Sequence, residues 1–145
     1  QDVIELADYV QKINEAGLLP EKHAIGVDPA GIGAVVDELT LDERGIDMDQ
    51  IIAVSQGWKL NGAIKTTERA VAGGDFVHGA QPLMAWAVGN AKVVPVGNAV
   101  TITKQAAGSA KIDPLMATFN AVTLMALNPE ARAYVGDFLT SPVTG

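Results

Sequence analysis

Two Asp-Pro pairs stand in unlike settings, Asp28 in AIGVDPAGIG and Asp113 in SAKIDPLMA. Asp28 follows a short apolar run, Ala24 to Val27, and precedes a glycine-rich turn, which predicts a position at the carboxyl end of a strand. Asp113 precedes the apolar stretch Leu115 to Leu127, which predicts a position at the amino end of a helix. Carboxylates in such places are the donors a hydrolytic Mg²⁺ or Mn²⁺ site uses, because hard cations take oxygen ligands. Two ions about 4 Å apart across one phosphodiester need several carboxylates, so Asp28 and Asp113 alone make an incomplete set. The competing reading is structural, since Asp before Pro also starts turns and helices.

Other residues are weighed the same way. Lys104 and Lys111 bracket a small-residue loop leading to Asp113 and are the candidates for phosphate contacts. Asp37, Glu38 and Asp75 could add ligands, but a solvated surface role suits each better. Glu68 is flanked by bases in KTTER, which predicts a surface ion pair on a helix. The two histidines, His23 and His78, lack a second ligand at zinc spacing. His78, in VHGAQP, is read as a structural hydrogen-bonding group rather than a general base. Asn90 is read as a cap rather than a substrate contact. Trp58 and Trp86 could stack on bases, with Trp86 expected in the core. Ser55 lacks a His and an acid in any recognisable arrangement, which leaves no serine hydrolase reading. Gly31-x-Gly33 has Val36 where a third glycine would stand, and no acid lies at the expected position about 20 residues on at a strand end. The turn glycines are instead expected to allow a tight turn and close helix–strand packing.

The elements that would position these residues follow from periodicity. Val3, Leu6, Ala7, Val10, Ile13 and Ala16 recur at helical spacing, with Gly17 as a stop before Pro20. Lys22 to Val27 and Ile51 to Val54 read as buried strands, separated by a short helix over Ile32 to Leu39 and a solvated acidic loop, LDERGIDMD. This alternation predicts an α/β layer with a parallel crossover. Ala63 to Ala72 and Pro82 to Val88 read as helices, the first broken by GGD at Gly73 to Asp75. Lys92 to Val96 and Ala99 to Thr103 flank Gly97-Asn98, a hairpin signal. A loop over Lys104 to Ala110 leads to a helix from about Ile112 to Leu127, which ends near Asn128-Pro129. Residues 131–145 read as a loosely held tail.

Four blocks in order, GVDPAGIGAVVDEL, VSQGWKLNGAIKTTER, VHGAQPLMAWAVGNAKV and ITKQAAGSAKIDPLMATFNAV, resemble the carboxyl-terminal nuclease domain of the large terminase subunit of tailed bacteriophages. The similarity is closest to HK97-like, prophage-type members and covers residues 2–130. It implies a ribonuclease H-like α/β fold, a mixed sheet flanked by helices, in which three acids bind two metal ions and cut concatemeric double-stranded DNA during genome packaging. Asp28 matches the family's second acid and Asp113 its third. The first acid lies on an opening strand upstream of the helix with which this chain begins, so the resemblance implies a partial domain lacking its amino-terminal strands. Residues 1–130 would be nuclease domain and 131–145 a tail. The implied partners are double-stranded DNA, the terminase small subunit and the portal protein, in the cytoplasm of a bacterial host. No G-x-x-x-x-G-K-[ST] motif of a packaging ATPase occurs. Two alternatives stay open: a non-catalytic module docking on DNA or portal, and an actin-like nucleotide-binding domain, which would normally carry a second phosphate motif that is not found.

Composition sets the bounds. The 145 residues, 48% hydrophobic with mean hydropathy +0.21, can bury a real core and exclude a disordered chain. There is no cysteine, which excludes disulfides and thiolate metal sites and fits a reducing compartment. No apolar run approaches the ~20 residues of a membrane span. The net charge of −7 is uneven. Residues 1–50 hold twelve acids and three bases, whereas Trp58 to Lys111 holds six bases against Glu68 and Asp75. A locally basic stretch can meet phosphates while the remaining surface stays acidic. Nothing resembles a base-reading helix, so cleavage with little sequence preference is expected.

Overall fold

The computed structural model describes residues 2–30, 32–105, 110–130 and 132. Two compact units form, one from Gln1–Ala53 with Leu127–Gly145 and the other from Val54–Ala126.

In the first unit, helix α1 (Asp2–Glu15) carries Asp2 and Glu5 in its first turn and Lys12 in its last, the arrangement that suits the helix dipole. Gly17 ends the helical segment with a left-handed φ of +72°. Strand β1 (Ile25–Val27), helix α2 (Gly33–Leu39) and strand β2 (Ile51–Ala53) follow. The strands pair in parallel, Ile25 against Ile51 and Val27 against Ala53. The expected strand–helix–strand unit is therefore present. Its strands are half-buried rather than buried, because among the described residues each pairs only with the other. Ala7, Leu39 and Ile46 form the core, with Val10, Ile25, Val35 and Ile51 packed around them.

The acidic loop is not the solvated excursion its composition suggests. It folds into two 3₁₀ turns, Asp42–Arg44 and Met48–Gln50, and buries Ile46 and Gln50. Arg44 donates to Asp8 of α1 and Glu38 of α2, and to Gln11 Oε1 at 3.1 Å. Those hydrogen bonds, the one to Asp8 foremost, hold the guanidinium above the usual arginine pKa. Gln50 is only 2% exposed, so its carboxamide has to be fully bonded. Its Nε2 donates to Asn14 Oδ1 (3.1 Å) and to the Pro20 carbonyl (3.0 Å), and its Oε1 accepts from the Asp47 amide (3.1 Å). Asn14 Nδ2 donates in turn to the Gly45 carbonyl at 2.9 Å. Arg132 donates to Asn14 Oδ1 at 2.6 Å. The remainder of the expected tail, 131 and 133–145, lies outside the described residues.

The second unit holds a 3₁₀ turn (Gly57–Leu60), helix α3 (Asn61–Gly73), helix α4 (Pro82–Gly89), strands β3 (Ala91–Val96) and β4 (Ala99–Lys104), and helix α5 (Asp113–Met125). Helix α3 ends as the glycine pair predicts, with Gly74 at φ +77°. The hairpin is present in full register from Ala91–Lys104 to Val96–Ala99. Gly97 stands first in its two-residue turn at φ +60°, where a type II′ turn requires left-handed backbone. Helix α5 contacts α3 and α4, and Leu60, Ala63, Ile64, Ala87, Leu115, Phe119 and Leu124 are buried. The class is mixed α/β, with helices and small sheets.

Gln50→Leu keeps the volume but leaves the Asp47 amide and Pro20 carbonyl without their partner. We expect it to lower unfolding free energy by about 2–3 kcal/mol in a denaturant titration. Met48→Ala, at a 61% exposed neighbour, should stay within about 0.5 kcal/mol.

Candidate active site

Asp28 is the first residue after β1 and is exposed, as its sequence setting predicts. Its Oδ1 accepts the Ala30 amide at 2.9 Å, closing a side-chain turn over Pro29. The turn-making role and a ligand role are compatible, since a carboxylate has acceptor capacity beyond one bond. The following glycines do less than expected. Helix α2 opens at Gly33 with open space where a Cβ would stand, so close packing does not require glycine there, and Gly31 lies outside the described residues.

Asp113 opens α5, also exposed, where the helix dipole favours a carboxylate, and Pro114 follows in the first turn as N-terminal prolines do. Lys104 ends β4 opposite Ala91, and Lys111 precedes α5 by two residues; both are exposed. The connection between them is anchored at the end of α4. The Asn90 carbonyl accepts the Gln105 amide at 2.8 Å, the Gly89 carbonyl accepts Gln105 Nε2 at 3.0 Å, and Asn90 Nδ2 donates to the Lys111 carbonyl at 3.1 Å. Asn90 is thus a cap, as expected, with a second, longer-range duty. The central loop residues 106–109 lie outside the described residues. Lys104, Lys111 and Asp113 all belong to the second unit, and Asp28 to the first.

Charge follows the same division. The first unit carries fourteen acids and four bases, the second three acids and six bases. Side-chain cations of the second unit thus outnumber its carboxylates, which suits a polyanionic ligand.

The remaining candidates resolve individually. Glu38 is committed to Arg44, and Asp37 and Asp75 are exposed. Glu68 forms no ion pair among the described residues, against the expectation of a helix pair. His78 Nδ1 accepts the Ala80 amide at 3.1 Å in a turn where Ala80 takes φ +50°, a structural role. Trp86 is 47% exposed, not core; Ala87 is the residue α4 buries. Trp58 is 59% exposed, with Lys59 Nζ 5.9 Å from its ring centroid. Gln105, whose bonds run to α4, was not singled out from the sequence, since nothing local marks a glutamine that bonds a distant carbonyl.

A family model described as the terminase large subunit, endonuclease domain, matches residues 5–129. The chain belongs to that family. Asp28, Lys104, Lys111 and Asp113 all lie within the matched span. Terminase membership makes DNA the substrate class and genome packaging the general setting. Comparison with curated proteins and with solved structures finds no match. No helix among the described residues is long and apolar enough to cross a membrane.

Asp28→Asn keeps the oxygen that accepts the Ala30 amide and removes only charge. Its stability should match the parent within about 0.5 kcal/mol in a denaturant titration. Asp113→Asn gives up the helix-dipole contribution and should cost about 0.3–1 kcal/mol.

Proposed function

We propose that this terminase domain is a metal-dependent endonuclease of ribonuclease H-like fold that cuts concatemeric double-stranded DNA in the course of packaging, with Asp28 and Asp113 as metal ligands. The observation that carries the reading is the pairing of a family match over residues 5–129 with an exposed acid directly after a strand of a parallel β–α–β unit. The donor set fits the metal in kind, because both acids offer exposed carboxylate oxygens, as a hard divalent cation prefers. Among the described residues no three of Asp, Glu or His group closely enough to hold an ion. Mg²⁺ or Mn²⁺ bound there would act as a Lewis acid on the phosphodiester and lower the pKa of the attacking water.

The chain's own residues divide the remaining work. The Asx turn fixes the rotamer of Asp28 while leaving its second oxygen available. The first turn of α5 holds Asp113 at the positive end of the helix dipole. Lys104 and Lys111 neutralise and position backbone phosphates, which carry no sequence information, so cutting shows little base preference. In the parent assembly the terminase small subunit and the portal would be the protein partners.

The test is plasmid cleavage by this chain in Mn²⁺ and in Mg²⁺, beside Asp28→Asn and Asp113→Asn. Nicking that needs the metal and disappears in both variants is the expected result. Full activity in folded Asp28→Asn would remove that residue from the site. DNA binding that weakens with salt, without cleavage, would instead identify a docking module.

Lys104→Ala and Lys111→Ala should each weaken DNA binding across unrelated sequences. Each should also reduce the slope of log affinity against log salt by about one.

A further inference from the structure

Helix α4 ends on a residue whose bonds reach well beyond its own cap. Asn90 is half-buried and caps α4 through its amide, which donates to the Trp86 and Ala87 carbonyls at 3.1 and 3.2 Å. Its carbonyl holds the Gln105 amide just after β4, and its side chain holds the Lys111 carbonyl just before α5. Gln105 returns a second bond, through Nε2, to the Gly89 carbonyl. One residue therefore grips the chain at both ends of the β4–α5 connection, with Lys104 next to one grip and Asp113 two residues beyond the other.

We infer that Asn90 is a positioning residue for the proposed site: it sets where Asp113 and Lys111 stand relative to Lys104 without touching metal or DNA itself. This rests on the nuclease reading given above. The chemistry of the position is selective. Holding the Lys111 carbonyl requires a donor, which the Asn90 carboxamide has and an aspartate carboxylate lacks. An isosteric Asn90→Asp would set a carboxylate against that carbonyl while retaining a side chain of the same shape. The two supporting bonds of Gln105 and Asn90 are solvent-exposed and add little to global stability, so their loss is expected to act locally.

The experiment compares the full chain with Asn90→Asp, Asn90→Ala and Gln105→Ala. Amide hydrogen exchange at Met116, whose amide donates to the Ile112 carbonyl at 3.0 Å, and the Mn²⁺ concentration that half-saturates paramagnetic broadening near Asp113 are read together. We expect exchange at Met116 to accelerate about tenfold in the Asn90 variants and less in Gln105→Ala, while the thermal midpoint barely moves. The Mn²⁺ half-saturation point should rise by a similar factor, with Asn90→Asp the worst. Unchanged exchange at Met116 in folded Asn90→Ala would overturn the inference. So would faster exchange with an unchanged Mn²⁺ half-saturation point. Absence of Mn²⁺ broadening near Asp113 in the parent chain would count against the metal-ligand reading, and the positioning role would fall with it. Broadening in the parent that persists unaltered in every variant would leave the ligand reading standing and overturn this one alone.

Discussion

Irregular backbone between short elements must find hydrogen-bond partners, and in this chain carboxamide side chains supply them. With strands of three residues and helices as short as seven, much of the chain runs outside any ladder. Asn14 meets the Gly45 carbonyl, Gln50 the Pro20 carbonyl, Gln56 the Val54 carbonyl at 2.9 Å, and Asn61 Oδ1 the Val100 amide at 2.9 Å. Asn90 and Gln105 do the same at the end of α4. Several of these amides also bond each other: Gln50 to Asn14 within the first unit, and Gln56 to Asn120 at 3.0 Å within the second. A buried carboxamide has donors and acceptors on one rigid plane, so it can satisfy two backbone groups from different elements at once. Both units use that property to bind loops to helices.

Around these junctions the apolar packing is modest. The first unit's core holds Ala7, Leu39 and Ile46, and an ionic contact of Arg44 with Asp8 and Glu38 ties the acidic loop to both helices. In the second unit the apolar residues of α5 supply Leu115, Phe119 and Leu124 to the buried set, and the same helix begins with Asp113. The helix that builds the core thus also fixes the backbone under a candidate ligand. A similar economy holds at Asp28, where one carboxylate both ends a strand and folds the turn that follows.

Local signals carried the sequence reading a long way. Gly97 at a two-residue turn, Gly74 after α3, Pro114 in a first helical turn and apolar runs before Asp28 and after Asp113 each encode their structure within a few residues. What escaped depends on distant partners. Helix α4, PLMAWAVG, is apolar at nearly every position, so no stripe distinguishes the buried face, and Trp86 was misplaced while Ala87 took the core position. LDERGIDMD reads as solvated because its charges dominate, yet Arg44 is held by acids six and thirty-six residues away. The Asp-Pro settings single out Asp28 and Asp113 locally, and the structure adds what local pattern could not: the hydrogen bonds of Asn90 and Gln105 at the connection beside Asp113.

Carboxamides hold no titratable proton and no net charge. The junctions they make respond little to ionic strength, whereas contacts between lysine and phosphate weaken steeply with it. Salt sufficient to release DNA from the lysines proposed to hold it would therefore leave the carboxamide junctions of both units fastened. On the proposed reading the grip on DNA and these carboxamide junctions are set by different physics, and a rise in salt can end the first without disturbing the second.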